Sequence, residues 1–432
     1  MLDDNRMRRP RSPFLVRAPR PVANASAAAA AATASATAVA VAVAFAAAAA
    51  VAVASTTVAG CGSSSAPEPS SGSPTDPAAS DPANANPGAS PAAPATSSPS
   101  AAPTTPPTTT PPTTPPGTSF SFVVVGCNRV EKADIDPAVP STANVEQLTR
   151  TFAEVAALKP PPKYFFFAGD MVYGFTDGPT LATQLQAWLA LYAASPLPAA
   201  GVTLVPIQGN HESQAKSGKT KLAYVEAETS WVTVMGPHIQ GSNGPKAGGP
   251  DALATDQSKL TYSFDYAGTH FVVLNTDPVG QDWRVPTAWA AADLAAAHAA
   301  GAKHIFAIGH KPAYPSPVSA EGGLSMYPAL RDTFWTAMET NHAEAMLAAH
   351  NHLWFKTRPT KTWQIVAGNG GSLLETGVTG ADAYYGFTHV TVDANGTVTA
   401  KSYGRDVPAD GYLGASATYP TTVRDTVDLT WK

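Results

Sequence analysis

Five times in this chain a short apolar run stops at Gly or Ala, and four of those stops present a side chain suited to a cation. Phe120–Val125 ends at Gly126, and Lys163–Phe167 runs into Gly169-Asp170. Val202–Ile207 runs into Gly209-Asn210-His211, His304–Ile308 into Gly309-His310, and Glu344–Leu347 into Ala349-His350-Asn351-His352. Continuous apolar runs of this length are the mark of strands buried on both faces. Sheets built from such strands gather their chemistry at the carboxyl ends, where loops project side chains into one crevice. A carboxylate, an amide oxygen and several imidazoles together suit hard or borderline divalent ions such as Zn, Mn, Fe or Mg. Taken singly, each imidazole reads as an ordinary packed or surface side chain. His238, His270, His298, His304, His342 and His389 keep that reading.

Helical spacing of apolar positions predicts helices over Asn144–Leu158, Leu181–Tyr192, Thr287–Ala299 and Pro328–Glu339. Leu260–Tyr266 and His270–Leu274 read as a hairpin-like pair. Trp363–Tyr403 alternates apolar and polar residues and is expected to supply antiparallel strands around the turn Asn395-Gly396. Ser213–Lys259, rich in Gly, Ser and Lys, reads as a segment that shapes the cleft.

These patterns occupy residues 119–432. Of the 41 prolines, 16 fall between Gly62 and Thr118, a stretch with no Lys, Arg, aromatic, Ile, Leu or Val. Such a composition cannot bury enough apolar surface to offset ordering entropy, so residues 61–118 read as a disordered linker. Residues 1–60 carry six arginines ahead of a long Ala/Val run that closes on Val58-Ala59-Gly60-Cys61. That order is the order of a secretory signal. The only basic segment is this N-terminal one, and the remainder of the net charge of −5 is acidic, so no nucleic-acid footprint is expected on the folded part.

Several segments resemble known families. Val58-Ala59-Gly60-Cys61 resembles the lipobox of bacterial lipoproteins, which implies acylation at Cys61, export, and a lipid anchor to a membrane of the bacterial cell envelope. The linker then gives a reach of roughly 40 Å as a random coil. An uncleaved span over Thr37–Ala54 is the competing reading, and Arg8-Arg9 with Phe14-Leu15 loosely resembles a twin-arginine signal.

Gly169-Asp170-Met171-Val172-Tyr173, Gly209-Asn210-His211-Glu212, Gly309-His310-Lys311-Pro312 and Ala349-His350-Asn351-His352 resemble, in order, four blocks of the calcineurin-like metallophosphoesterase superfamily. The first two are most similar to its purple-acid-phosphatase-like branch. Tyr262–Tyr266 and Leu274–Asp277 are similar to framework stretches of the same branch. The resemblance implies an α/β fold of two mixed β-sheets packed as a sandwich flanked by helices. It implies one or two metal ions (Fe, Zn or Mn) and a small phosphorylated substrate, a phosphate mono- or diester attacked by a metal-activated water. Asp170 would bridge two metals, Asn210, His310 and His350 would complete the ligand set of the second metal, and His352, with Tyr173, would bind the first. His211 would hydrogen-bond a phosphate oxygen or the leaving group.

The first block departs from that pattern, since Gly126-Cys127-Asn128-Arg129 stands where a metal-binding Asp is expected. Three readings stay open. Cys127 could ligate as a thiolate, giving a softer site. The first metal could be absent, with Arg129 gripping phosphate. Or the site could be degenerate, leaving a lipid-anchored protein that binds a phosphorylated ligand without turnover. Cys127 as a small buried hydrophobe is the bland alternative to ligation.

Overall fold

In the computed structural model, residues 118–432 are described, apart from 218, 219, 320 and 416–418. The signal segment, Cys61 and the linker as far as residue 117 lie outside the described residues. Among the described residues no helix is long and apolar enough to cross a membrane.

Strand β1 (Phe120–Val125) leads into helix α1 (Val145–Ala157), strand β2 (Tyr164–Ala168), helices α2 (Gly178–Ala194) and α3 (Pro196–Ala199), and strand β3 (Thr203–Ile207). One helical turn, α4 (Asn210–Ser213), precedes the ribbon of β4 (Gln214–Ser217) and β5 (Thr220–Ala223), and then helix α5 (Val225–Met235). Next come β6 (Tyr262–Tyr266), β7 (Thr269–Leu274), α6 (Thr287–Ala299), β8 (His304–Gly309), α7 (Pro328–Thr340) and β9 (Ala345–Ala348). The chain closes with β10 (Trp354–Thr357), β11 (Trp363–Ala367), β12 (Tyr384–Val392), β13 (Val398–Asp406) and β14 (Thr422–Asp428).

Hydrogen bonding orders one six-stranded sheet β14-β13-β12-β1-β2-β3 and the other β10-β11-β9-β8-β7-β6. Each sheet is mixed. β1, β2 and β3 run parallel, while β12, β13 and β14 are antiparallel. In the second sheet β7, β8, β9 and β11 run parallel between antiparallel edges β6 and β10.

Side chains alternate across a strand, so the continuous apolar runs must divide between two faces. Phe122, Val124, Phe166, Val205 and Ile207 meet Phe271, Val273, Phe306, Ile308 and Leu347 in the core between the sheets. Val123, Val125, Phe165 and Phe167 point the other way, onto Phe152, Leu185 and Trp188 of α1 and α2. On the far side Val272, Leu274, Ile305 and Met346 pack against Leu294, Phe334 and Met338 of α6 and α7. The expected sandwich flanked by helices is the fold observed. Pro206 sits in β3, at the sheet edge, where a missing N–H costs no ladder bond.

One expectation needs correcting, and one helix lies where none was expected. β11 belongs to the second sheet and runs parallel to β9, so only β12 and β13 form the hairpin around Asn395-Gly396. The stretch read as cleft-shaping contains α5, whose Ala227, Trp231, Val234 and Met235 lie buried at helical spacing against Leu181, Leu185 and Trp188. The Gly- and Lys-rich sequence beyond it hides that period.

Candidate metal centre

The carboxyl ends of β1, β2, β3, β8 and β9 meet at one end of the sandwich, and the turns there are fastened to one another. Cys127 N–H donates to Gly169 O, Asn128 and Arg129 N–H both donate to Asp170 O, and Ala349 N–H donates to His310 O. Cys127, Asp170 and His350 all adopt left-handed backbone angles, with φ of 59°, 55° and 69°. Such residues cost about 1 kcal/mol or more each and persist only where surrounding contacts hold them. Gly169 precedes Asp170 at φ 84°, and a Cβ there would stand 2.6 Å from both Gly209 Cα and His310 Nδ1. Glycine alone lets these two turns approach.

Glu212 is the staple. Its buried carboxylate accepts N–H bonds from Asp170 (2.9 Å), Met171 (2.7 Å), Val172 (3.1 Å) and Gly209 (2.8 Å). Burial and the neighbouring Asp170 push its carboxyl up to about 8, against the pull of those donors.

Within this frame Asp170, Asn210, His310 and His350 converge. His310 Nδ1 lies 2.7 Å from Ala168 O, and a carbonyl can only accept, so Nδ1 carries a proton. His310 Nε2 faces Asn210 Oδ1 at 2.9 Å, Asp170 Oδ1 at 3.2 Å and His350 Nδ1 at 3.2 Å. His350 Nε2 stands 3.2 Å from Glu321 Oε2, and its Nδ1 is turned inward. Four atoms able to ligate therefore gather around one point, all in residues at most 5 % exposed. The mixed oxygen and imidazole set fits Zn, Mn or Fe. Burial by itself would raise the Asp170 carboxyl, but His310, His211, Arg129 and His350 outweigh it and hold the group well below the carboxylate range.

The other expected residues take different places. Cys127 is a buried free thiol whose Sγ belongs to the cluster with Asp170 and His310, ligand atoms within 4.8 Å of one another. Burial and Asp170 push the thiol up, and its Sγ accepts the His350 N–H at 3.1 Å. Arg129 is 8 % exposed. Its Nε stands 3.9 Å from Asp170 Oδ2, and its Nη1 donates to Glu131 Oε1 at 2.6 Å.

His211 Nδ1 is bonded to the Tyr173 carbonyl, and its ring is packed against Phe175, 3.9 Å between centroids. Burial pulls its pKa well down, and its Nε2 stands 3.9 Å from Asp170 Oδ2. His352 is half-buried, with Nδ1 held by Leu373 O at 2.8 Å, outside the four-residue cluster. Tyr173 packs beside His211 with ring centroids 5.6 Å apart, and among the described residues no hydrogen bond joins its phenol to the cluster.

The motif reading assigned no role to several neighbours. Lys311 and Asp277, both fully buried, form an ion pair, and the ammonium sits 3.2 Å from the centroid of the Trp283 ring. The Trp283 ring in turn meets His350 edge-on at 5.5 Å. Glu212, Lys311 and Asp277 stand in or beside the recognised blocks. Trp283 carries no local signal.

No curated protein matches the chain. Among solved structures, PhoD superposes with a TM-score of 0.50 at 14% identity, over 73% of this chain and 72% of that one. Purple acid phosphatase PPD1 from yellow lupin (Lupinus luteus) gives 0.45 at 15% identity, over 72% of this chain and 55% of that one. GAP50 of Plasmodium gives 0.42 at 13%, over 73% and 89%. At these identities the likeness is one of fold. The family model of the calcineurin-like phosphoesterases matches residues 133–354, about half of the chain, and spans three of the four converging ligands' loops and Asp170 itself. With sandwich, strand-end crevice and ligand cluster agreeing, the chain belongs to the calcineurin-like phosphoesterase family, whose members are metal-dependent phosphoester hydrolases.

Proposed function

We propose that this phosphoester hydrolase acts on a small phosphorylated substrate outside the cytoplasm, held to the bacterial envelope by a lipid on Cys61, in the manner of the purple-acid-phosphatase-like branch. The observation that carries the catalytic part is the convergence of Asp170 Oδ1, Asn210 Oδ1, His310 Nε2 and His350 Nδ1 at the strand ends. A cation seated there would supply Lewis-acid polarisation and charge neutralisation for a phosphoryl group, and lower the pKa of an attacking water.

The chain's own residues orient and exchange protons. The Tyr173 carbonyl holds the His211 Nδ1 proton, which turns Nε2 toward the open side of Asp170 as the atom able to share a proton with a substrate oxygen. Asn210 is a neutral ligand, so the centre keeps positive charge for the substrate. Glu212 fixes the Asp170 turn and with it the carboxylate's direction.

The full chain, stripped with chelator and reloaded with Zn, Mn or Fe, is assayed with p-nitrophenyl phosphate and its bis ester. Metal-dependent turnover of either is expected, and a folded, metal-loaded protein inert to both would sink the reading. The address rests on the arginine-rich start, the Ala/Val run and the tetrapeptide ending at Cys61. Expressed in a bacterium, Cys61→Ser is expected to move the protein from the membrane fraction to the soluble one, and an unchanged distribution would refute lipid anchoring.

A further inference from the structure

We propose that the centre holds one cation per chain and that the Arg129 guanidinium supplies the second fixed positive charge, gripping the phosphoryl group beside Asp170. The inference rests on the phosphoesterase reading above and concerns how that site is charged.

Three observations carry it. First, the ligand atoms that converge do so around one point. Asn210 Oδ1, Asp170 Oδ1 and His350 Nδ1 all lie within 3.2 Å of His310 Nε2, and His352 stands outside with Nδ1 given to Leu373 O. Secondly, the far oxygen of Asp170 faces side chains and not a second ligand set. Arg129 Nε and His211 Nε2 each stand 3.9 Å from Oδ2, beyond hydrogen-bond range. Arg129 Nε is buried and has no hydrogen-bond partner among the described residues. A buried donor without a partner costs about 1–3 kcal/mol, more when charged, so Arg129 Nε is a donor in want of an acceptor. Thirdly, the Arg129 backbone is fastened at both polar atoms and its guanidinium has a partner. Arg129 N–H is bonded to Asp170 O at 3.1 Å, its carbonyl accepts from Ser372 Oγ at 2.9 Å, and Nη1 is held by Glu131.

A second divalent ion on Oδ2 would stand beside a permanent cation, 3.9 Å from that oxygen. An oxyanion has the opposite preference and accepts from Arg129 Nε. Cys127 adds one sulfur, within 4.8 Å of ligand atoms of Asp170 and His310, and the same sulfur takes the His350 N–H. With His352 turned to Leu373 O, no further imidazole among the described residues joins it as a second ligand set.

The test reads metal content and phosphate affinity apart from turnover. The full chain is stripped, saturated with Zn or Mn, desalted and analysed for metal, then titrated with inorganic phosphate by calorimetry. One cation per chain is expected, with the same content in Arg129→Ala and Arg129→Gln. Both variants should bind phosphate between about 10- and 100-fold more weakly, the range for one charged hydrogen bond in a buried site. Two cations per chain in the wild type, none at all, or unchanged phosphate affinity in both variants would overturn the proposal. If neither variant folds, the wild-type metal ratio still decides. One cation and Arg129-dependent phosphate binding without turnover of any ester would refute the proposed function and leave this inference standing. Turnover with two cations bound would do the reverse.

Discussion

The ends of β1 and β2 share a backbone plan and differ in chemistry. Each parallel strand stops at a glycine, Gly126 or Gly169, and the next residue turns left-handed, Cys127 at φ 59° and Asp170 at φ 55°. One turn presents a thiol and, two residues on, a guanidinium. The other presents a carboxylate. They are also held differently. The β2 turn has its N–H groups collected by Glu212, whereas the β1 turn gives its N–H groups to the carbonyls of Gly169 and Asp170. The fold thus fixes where a side chain stands, and the residue type alone fixes whether that place draws a cation or an anion. The family match begins at residue 133, just past the β1 turn, where the chain departs from the family's pattern.

The most damaging test erases the contrast. Asp170→Asn keeps a residue tolerant of left-handed angles and removes the charge. It should cut turnover on the order of 10³-fold, several kcal/mol of charge stabilisation, with loss of bound metal in elemental analysis. Retained metal and activity would mean that Asp170 is not the ligand its position suggests.

Loosening the β2 turn alone comes next. Glu212→Gln replaces one of two carboxylate oxygens, each of which accepts two N–H bonds, with an amide donor. A loss of about 3 kcal/mol is expected in denaturant unfolding, from stranded buried donors. A change within 0.5 kcal/mol would show that the β2 turn is as self-supporting as its neighbour.

A smaller effect is expected from the buttress on the second sheet. Trp283→Ala removes the face that carries Lys311 and the edge that meets His350. Metal affinity should fall by about 10-fold, as for other groups that orient a ligand from behind. Competition with a chromogenic chelator measures it, and an unchanged constant would confine the orienting role to the first sheet.

The smallest effect uses an imidazole outside the centre. His270 bonds Asp265 Oδ1 at 2.8 Å and Asp293 Oδ2 at 2.9 Å. Burial opposes its protonation, but those two carboxylates overcome it and raise the pKa from 6.5 to about 9. Because the folded value exceeds the unfolded one, its contribution is complete below about pH 6.5 and is lost as pH rises through 9. Allowing for screening of the exposed Asp265, this amounts to on the order of 1 kcal/mol. Melting between pH 6 and pH 10 should show that decline, and His270→Asn should remove it. An identical pH dependence in the variant would exclude His270 as its source.

Much of this was legible before any coordinates. Runs such as FSFVVV and YFFFA are apolar on both faces because helices cover one side of each sheet and the partner sheet the other, so the strands and their order along the chain could be read. Asp170, Asn210, His310 and His350 were legible because each directly follows such a run. α5 was not, since its period is short and lies beside a Gly- and Lys-rich stretch. The sheet membership of β11 was not, because alternation along a strand carries no record of which partner it will pair with. Trp283 was invisible for the same kind of reason: its contacts with Lys311 and His350 are made across long stretches of chain.

By itself the sequence determined the strand-end pattern, the family and a set of cation-binding side chains, because these depend on residue type and local order. Only the tertiary structure decided what surrounds the β1 turn. That Cys127 Sγ receives the His350 N–H at 3.1 Å, and that Arg129 stands 3.9 Å from Asp170 instead of turning to solvent, depends on distances between turns from different strands. Those distances are set by the packing of two sheets and by the hydrogen bonds that fasten their ends.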